Sequence, residues 1–288
     1  MGSIKSKILT SIISFCIIIA AFPAMTLNAA TNWSYDDSTK TLTVSYSGAI
    51  PSFKNSMYAP WEQYSTDAEK IVLENGITSV GNYAFNSFVA VKEIVWPTTG
   101  KLTTIGTGAF FSCKSLEKVE LPEGITTLGQ NAFADCYALT SIKLPNSLKS
   151  IGVGAFSSEA GSAVTSITIP SKVTTIGNYA FNNQKNIKSV TGGAGLVTIG
   201  SYAFNKCAKL TTFKSTSKSL KTIGKCAFNG TKVTTLYIQN TTKLTKKTVK
   251  LSLYGSKIKT VKVKKSKVST YKKYFVKKNS GRKVTVKK

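Results

Sequence analysis

Apolar and polar positions recur along the chain with a period of about 23 residues, as in repeat architectures. The tetrad G-x-x-A-F occurs seven times, at nearly constant spacing. Its phenylalanines are Phe85, Phe110, Phe133, Phe156, Phe181, Phe204 and Phe228. A unit this short buries its apolar face only by stacking on its neighbours. The pattern therefore predicts a stacked, elongated fold.

Each unit has the same internal order of residue types. In VELPEGITTLGQNAFADCYALTS, residues 119–141, Val119 and Leu121 alternate with polar residues before a proline. The alternation predicts one short strand with one face towards the core, which the proline ends. We expect the tetrad glycine to make a turn that other residues enter at a cost, and the phenylalanine to fill the space between layers. The sequence thus predicts a β-rich solenoid.

Some units depart from this pattern. The usual proline is replaced in the two units that carry Gly192-Gly193 and Ser215, and the tetrad disappears after Phe228. Two units are longer by two residues, which predicts surface loops around Thr98–Lys101 and Ser157–Ser162. We therefore expect the outer face to be less regular towards the C-terminal end.

At these residues the sequence resembles the BspA-like leucine-rich repeat family, found on secreted and surface proteins of bacteria and some parasitic protists. The resemblance covers about residues 70–235. It implies a right-handed leucine-rich-repeat superhelix that serves adhesion or protein binding, with no catalytic residues and no cofactor. The preceding segment, residues 31–69, resembles the N-terminal cap of such proteins.

The cap segment is expected to form a β-hairpin with its turn near Asp37–Lys40. Trp33 and Trp61 are predicted to lie in the core of the cap, and Trp96 in the second repeat.

Residues 1–30 have the pattern of a secretory signal peptide. Lys5 and Lys7 precede an uncharged stretch, Ile8–Ala30, with an apolar middle and small residues at its end. The alternative is an uncleaved membrane anchor, but the apolar block is short for a span and Pro23 interrupts it. We expect cleavage after Ala29 or Ala30, a secreted or surface-associated protein, and no stable membrane span after cleavage.

Charge is distributed very unevenly. The chain has 39 Lys and Arg against 12 Asp and Glu, a net charge of +27, and no histidine. Every acid lies between Asp36 and Glu159, whereas residues 160–288 carry 28 basic residues. Without imidazole, neither a Ser-His-Asp triad nor a histidine-ligated metal site can form. The composition therefore favours binding over catalysis.

Residues 236–288 are predicted to form a degenerate repeat followed by a basic C-terminal cap. Val261 and Val263 alternate with lysines, Tyr271 and Phe275 recur at helical spacing, and the alternation returns near Val286. This predicts a strand–helix–strand cap, the alternative being a disordered polybasic tail. Its lysines are expected to attract anionic polymers such as teichoic acid or acidic glycans. Specific nucleic-acid recognition is disfavoured, since the chain has almost no arginine.

Three cysteines occupy one position of the motif. Cys113, Cys136 and Cys207 each follow the tetrad phenylalanine by three residues. This position is interior, where a free thiol packs as a small hydrophobic group. A bridge between Cys113 and Cys136 in adjacent units is the alternative.

Strand residues that point away from the core are predicted to line the concave side. The candidate partner-binding residues are Lys118, Glu120, Lys143, Thr168, Thr191, Lys214 and Tyr237, with Lys259, Lys262 and Lys264 in the cap. They point to non-enzymatic adhesion to an extracellular protein or surface polymer. The alternative function is polyanion or cell-wall binding through the lysine-rich end, with the solenoid as a scaffold. A further alternative is that these rows merely face water.

Overall fold

The structure, a computed structural model, describes residues 32–54, 59–238 and 243–288. The predicted signal peptide, residues 1–30, lies outside the described residues. We number the strands β1 to β20 and the α-helices α1 and α2 in chain order. The described residues build a β-solenoid, so the predicted fold class is confirmed.

One set of strands contains the residues predicted as the strand of each repeat. We call their outward side the front face. These strands are β1 (Asn32–Asp36), β2 (Thr41–Ser45), β4 (Lys70–Leu73), β6 (Glu93–Val95), β8 (Lys118–Glu120), β10 (Ser141–Lys143), β12 (Ser166–Ile169), β14 (Ser189–Gly192), β16 (Thr212–Ser215), β18 (Thr235–Tyr237), β19 (Thr260–Lys262) and β20 (Thr285–Lys287). Apart from the β1–β2 hairpin, every pairing among them is parallel.

A second set of strands, which was not predicted from the sequence, forms the back sheet. They are β3 (Gly48–Ala49), β5 (Ile77–Val80), β7 (Thr104–Ile105), β9 (Thr127–Leu128), β11 (Ser150–Ile151), β13 (Thr175–Ile176), β15 (Thr198–Ile199) and β17 (Thr222–Ile223). Their order is continuous from β3 to β17. Most have two residues, too few for an alternating pattern. The available signal was the repeated Thr-apolar pair before the tetrad glycine.

The front strands fall into three groups. One contains β1, β2, β4 and β6, the next contains β8 and β10, and the last runs from β12 to β20. The equivalent residues on the two strands that flank a break are Glu93 and Lys118 at the first break, and Ser141 and Ser166 at the second. Each of these pairs is further apart in the sequence than Lys118 and Ser141, which lie on paired strands. In both cases the back sheet remains paired across the break.

A single stack of parallel aromatic rings runs through the aliphatic core. The seven tetrad phenylalanines are at most 1% exposed, and consecutive ring centroids are 5.2–5.7 Å apart with interplanar angles of 4–10°. Trp61 extends the stack below Phe85 at 5.3 Å. The predicted stacking of identical rings in successive coils is confirmed.

The explanation predicted for the tetrad glycine was wrong. Its backbone does not have a positive φ; instead, a Cβ on Gly129 would lie 2.5 Å from the carbonyl carbon of Gly106 in the preceding coil. The left-handed residue lies two positions later, where Asn131, Tyr179 and Tyr202 have φ of 53–58°. The glycine is therefore required by the close approach of neighbouring coils, and the turn strains other residues.

The two longer units differ in their loops. Thr98–Lys101 is exposed at its polar positions, as predicted. In the other loop, however, Ser158 and Ser162 are each only 4% exposed, and the Ser162 hydroxyl donates to Oε1 of Gln184. The prediction of a surface loop at Ser157–Ser162 was therefore wrong for these two side chains. Their burial is tolerated because the Ser158 hydroxyl accepts the Gly161 amide and the Ser162 hydroxyl bonds to Gln184.

Both ends are capped as predicted. At the N-terminal end, Asp36 pairs with Thr41, which places the hairpin turn at residues 37–40. Trp61 is fully buried there, with the half-buried Trp33 ring edge-on at 6.4 Å. Trp96 belongs to the second repeat and packs edge-to-face on Phe110 at 5.6 Å.

At the other end, strand β19 is followed by helices α1 (Val268–Tyr274) and α2 (Lys277–Ser280) and then by β20. Tyr271 and Phe275 are buried, in agreement with the predicted helical face. The Arg282 guanidinium donates to the carbonyls of Ile258 and Ser256, both at 2.7 Å. The lysine-rich end is therefore a folded continuation of the ladder, with α1 packed beside it.

Candidate binding surfaces

Strand register aligns outward-facing side chains of β12 to β20 in one file on the front face. Each residue is the register partner of the next. We call this file the front column; it consists of Thr168, Thr191, Lys214, Tyr237, Lys262 and Lys287. Neighbouring residues are separated by one strand spacing of about 4.8 Å. Two threonine hydroxyl groups therefore begin the column, and three lysines with one tyrosine occupy its remaining four positions.

Lys214 and Tyr237 contact each other at the centre of the column. The Lys214 Nζ lies 5.8 Å from the centroid of the Tyr237 ring, and the lysine is exposed while the tyrosine is half-buried. A cation–π contact at such an exposed site contributes about 0.5–1 kcal/mol. It holds the ammonium group on the front face, and Lys262 is the register partner of Tyr237 on the next strand.

No carboxylate neutralises these lysines from within their own part of the chain, because residues 160–288 contain no Asp or Glu. In the described ranges, the three ion pairs all lie near the N-terminal end: Lys40–Asp37 at 2.6 Å, Lys70–Glu93 at 3.1 Å and Lys92–Glu69 at 2.7 Å. The C-terminal half therefore presents an uncompensated positive field, and its counterions are exchangeable.

The other candidate residues lie outside the front column. Lys143 and Glu120 are register partners in the separate β8–β10 pair, where Lys118 also lies. Lys259 precedes strand β19 and Lys264 follows it, and both side chains are exposed. Lys287 belongs to the column but was missed; the available signal was that it follows Lys262 at the same spacing as Lys262 follows Tyr237.

A cleft opens on the front face between β6 and β8, at the first break of the ladder. Its volume is about 950 Å³. Charged residues of both signs line it, together with an apolar group made up of Ile94, Trp96, Pro97 and Pro122. Lys118 and Glu120, which line this cleft, were predicted as partner-binding residues, but the sequence did not predict a cavity.

The cysteines have structural roles. Cys113, Cys136, Cys207 and Cys226 are free and buried. The Cys113 thiol donates to the carbonyl oxygen of Phe85 in the preceding coil at 3.4 Å, and burial raises its pKa to about 12. At the same motif position, Gln184 donates its amide to the Phe156 carbonyl at 2.7 Å. The predicted free thiols are thus observed, and those of Cys113, Cys136 and Cys207 each donate to a backbone carbonyl of the preceding coil.

The described parts of the chain contain no group of three or more His, Cys, Asp or Glu residues placed to hold a metal ion. Within the same ranges, no helix has the length and apolar character needed to cross a membrane.

Comparison with known proteins gives a family and a set of solved folds. Residues 63–162 and 159–282 match the model described as "BspA type Leucine rich repeat region", in six copies. No curated protein matches the chain.

Among solved structures, a leucine-rich repeat protein of T. pallidum has 21% identity and a TM-score of 0.48, with 62% of this chain and 87% of that chain covered. A leucine-rich repeat protein of Bacteroides ovatus has 17% identity and a TM-score of 0.46, with coverages of 92% and 67%. A leucine rich cell surface protein of Faecalibacterium prausnitzii has 17% identity and a TM-score of 0.33, with coverages of 93% and 96%.

Proposed function

Because the chain belongs to the BspA-type leucine-rich repeat family, we propose that it is an exported, non-enzymatic binding protein whose front column engages a negatively charged partner. The partner is an acidic surface of an extracellular protein or an anionic surface polymer such as teichoic acid or an acidic glycan. The observation that carries the proposal is the alignment of Lys214, Tyr237, Lys262 and Lys287 on consecutive strands.

The column suits an elongated partner. Its cations recur at one or two strand spacings, about 5–10 Å, which matches a ligand with repeated charges better than one with a single anionic group. Lysine supplies a hydrated point charge without the two-point geometry of arginine, so this interaction is expected to depend on salt and to tolerate variation in the ligand. Tyr237 adds an apolar surface between the charges.

A second candidate function rests on the cap rather than the column. Residues 241–288 contain 17 lysines and Arg282, and cap lysines such as Lys265 and Lys272 are exposed away from the front column. On this proposal the cap retains the protein on a polyanionic cell wall by diffuse attraction, and the solenoid is a scaffold.

A matched pair of variants distinguishes the two candidates. The column variant carries Lys214→Gln and Lys262→Gln, and the cap variant carries Lys265→Gln and Lys272→Gln, so both lose two positive charges. Binding to immobilised lipoteichoic acid and to a polyglutamate peptide is measured by biolayer interferometry at about 50–300 mM salt. We expect the column variant to lose at least about tenfold in affinity and the cap variant about threefold or less.

Equal losses in the two variants would favour diffuse retention by the cap. Unchanged affinity in the column variant, with binding to either probe intact, would contradict the proposed role of the column.

Export is proposed from the N-terminal pattern of residues 1–30. The test is the intact mass of the protein recovered from culture medium and from the cell surface. A mass that corresponds to a chain beginning at Ala30 or Thr31 supports the proposal. Full-length protein confined to the cell interior contradicts it.

A further inference from the structure

The first break in the front ladder leaves two strand edges without a partner. Strand β6 pairs with β4, and β8 pairs with β10, but β6 and β8 do not pair with each other in the described chain. The two coils are still joined at the start of the strands, where the Glu117 amide donates to the carbonyl of Lys92 at 3.1 Å, and in the back sheet through β7 and β9. The cleft is therefore a wedge that opens only on the front face.

Two local features of the sequence account for the wedge. Trp96 occupies the inward position that Leu121 and Ile169 occupy in later units, and it is half-buried against Phe110. Two additional residues follow it in the loop before β7. A larger inward side chain and a longer loop both displace this coil from the next, while the back sheet remains in register.

The lining of the cleft combines negative charge with an apolar floor. Four glutamates face two lysines: Glu93, Glu117, Glu120 and Glu123 against Lys92 and Lys118. Glu93 is paired with Lys70 at 3.1 Å, and both carboxylate oxygens of Glu123 accept hydrogen bonds from backbone amides. Within the described ranges, neither Glu117 nor Glu120 is in an ion pair. The two free carboxylates are therefore available to a cationic ligand.

We propose that this cleft binds an extended cationic peptide segment, which adds as a strand to the open edges of β6 and β8. The backbone of the peptide bonds to the unpaired edges, as in β-strand addition, and its alternate side chains face the cleft. Lysine or arginine side chains of the peptide reach Glu117 and Glu120, and their aliphatic stems lie on Trp96, whose ring also attracts a cation.

Charge complementarity selects this occupant from the alternatives. An anionic polymer is repelled by the four glutamates. A second copy of the chain is disfavoured because each copy carries a net charge of +27. Lys214, the first lysine of the front column, lies four strand steps beyond β8, about 19 Å. Because the Debye length at physiological salt is about 8 Å, the column's repulsion of a cationic peptide is largely screened at the cleft.

This site is separate from the proposed function. Its ligand has the opposite charge, and its residues lie on other strands, so each proposal can fail without the other.

The experiment measures fluorescence anisotropy of a labelled peptide, Lys-Val-Lys-Val-Lys-Val, at about 150 mM salt. The cleft variant carries Glu93→Gln, Glu117→Gln and Glu120→Gln. The matched control carries Glu62→Gln, Glu74→Gln and Glu159→Gln, which remove the same charge outside the cleft. We expect the cleft variant to weaken binding at least about tenfold and the control about twofold or less.

Two further comparisons test the mode of binding. The same peptide methylated on alternate backbone nitrogens cannot add to a strand edge, and we expect it to bind at least about tenfold more weakly. Trp96→Leu, which restores the residue type of later units, should narrow the cleft and weaken binding while the protein remains folded by circular dichroism.

The proposal is overturned if Glu-Val-Glu-Val-Glu-Val binds as tightly as the lysine peptide, or if the cleft and control variants bind the lysine peptide equally well. It is also overturned if sedimentation equilibrium shows self-association that the cleft variant abolishes, because the occupant is then a second copy.

Discussion

Phe133→Ala removes one ring from the middle of the aromatic stack. The Phe133 side chain is 1% exposed, and its ring centroid lies 5.2 Å from the Phe110 centroid and 5.6 Å from that of Phe156. Burial of a phenylalanine contributes about 1.5–3 kcal/mol, and each of the two aromatic pairs adds about 0.5–1.5 kcal/mol. The sum agrees with the loss of about 3–5 kcal/mol that Phe→Ala causes in closely packed cores.

The loss in the free energy of unfolding is measured by urea unfolding of the mature chain and monitored by far-ultraviolet circular dichroism. Tryptophan fluorescence is less suitable because the tryptophans report only on the N-terminal half. Tyr254→Ala is the control: this ring is 57% exposed, and we expect a change below about 0.5 kcal/mol. Since each coil contacts only its neighbours, the variant is also expected to show a lower m-value as the two halves become less coupled. A loss below about 1 kcal/mol for Phe133→Ala would refute the stacking argument.

Three further substitutions test other features of the coil. Gly129→Ala places a Cβ 2.5 Å from the backbone of Gly106, so we expect thermal unfolding to show a loss of stability of about 3 kcal/mol or more. The control is Gly100→Ala: a Cβ there has no atom within 4 Å, so the variant should lose only about 1–2 kcal/mol through its left-handed backbone. Equal losses in the two variants would contradict the close-approach explanation. Burial raises the pKa of Cys113 from 9.0 to about 12, so as the pH rises the unfolded chain loses this thiol proton before the folded chain does. The stability of the protein should therefore fall between pH 9 and 12, and Cys113→Val should show a smaller fall in Tm over that range. An identical fall in Tm would contradict the raised pKa of the buried thiol. Arg282→Lys keeps the charge but loses the two hydrogen bonds to the carbonyls of Ile258 and Ser256, so amide hydrogen exchange in residues 256–288 should accelerate at least about tenfold. Unchanged exchange would show that these hydrogen bonds do not hold the last coil.

The regular part of the fold could be predicted from sequence because every coil repeats the same physical requirement. A phenylalanine such as Phe133 recurs wherever the layers must be filled, and a small group such as Cys113 recurs beside it. The back strands were missed because a pair such as Thr104–Ile105 is too short to show a period. The reason given for the tetrad glycine was wrong, since close approach to another coil is invisible within one unit.

The candidate surfaces were predicted in part for a similar reason. The outward positions on β12 to β18 follow from alternation within each strand, so Lys214 and Tyr237 were both identified as candidate binding residues. Beyond Phe228 the motif changes: Leu253 occupies the place of the phenylalanine, although Leu251 and Gly255 keep the left-handed backbone of the earlier coils. The continuation to Lys287 therefore depends on tertiary pairing. The cleft depends on the displacement of a single coil, which the sequence encodes only in Trp96 and a two-residue insertion.

The central claim is that the lysine-rich end continues the ladder and places Lys262 and Lys287 in the front column. Spin labels at Thr168→Cys and Lys287→Cys test it by double electron–electron resonance, because the native thiols of the described chain are buried. The two sites are five strand steps apart, about 24 Å, and replacing the first label by one at Thr191→Cys should shorten the distance by about 4.8 Å. The structure predicts a single narrow distribution for each pair, with that difference between them. A broad distribution that does not change when the first label is moved would contradict it.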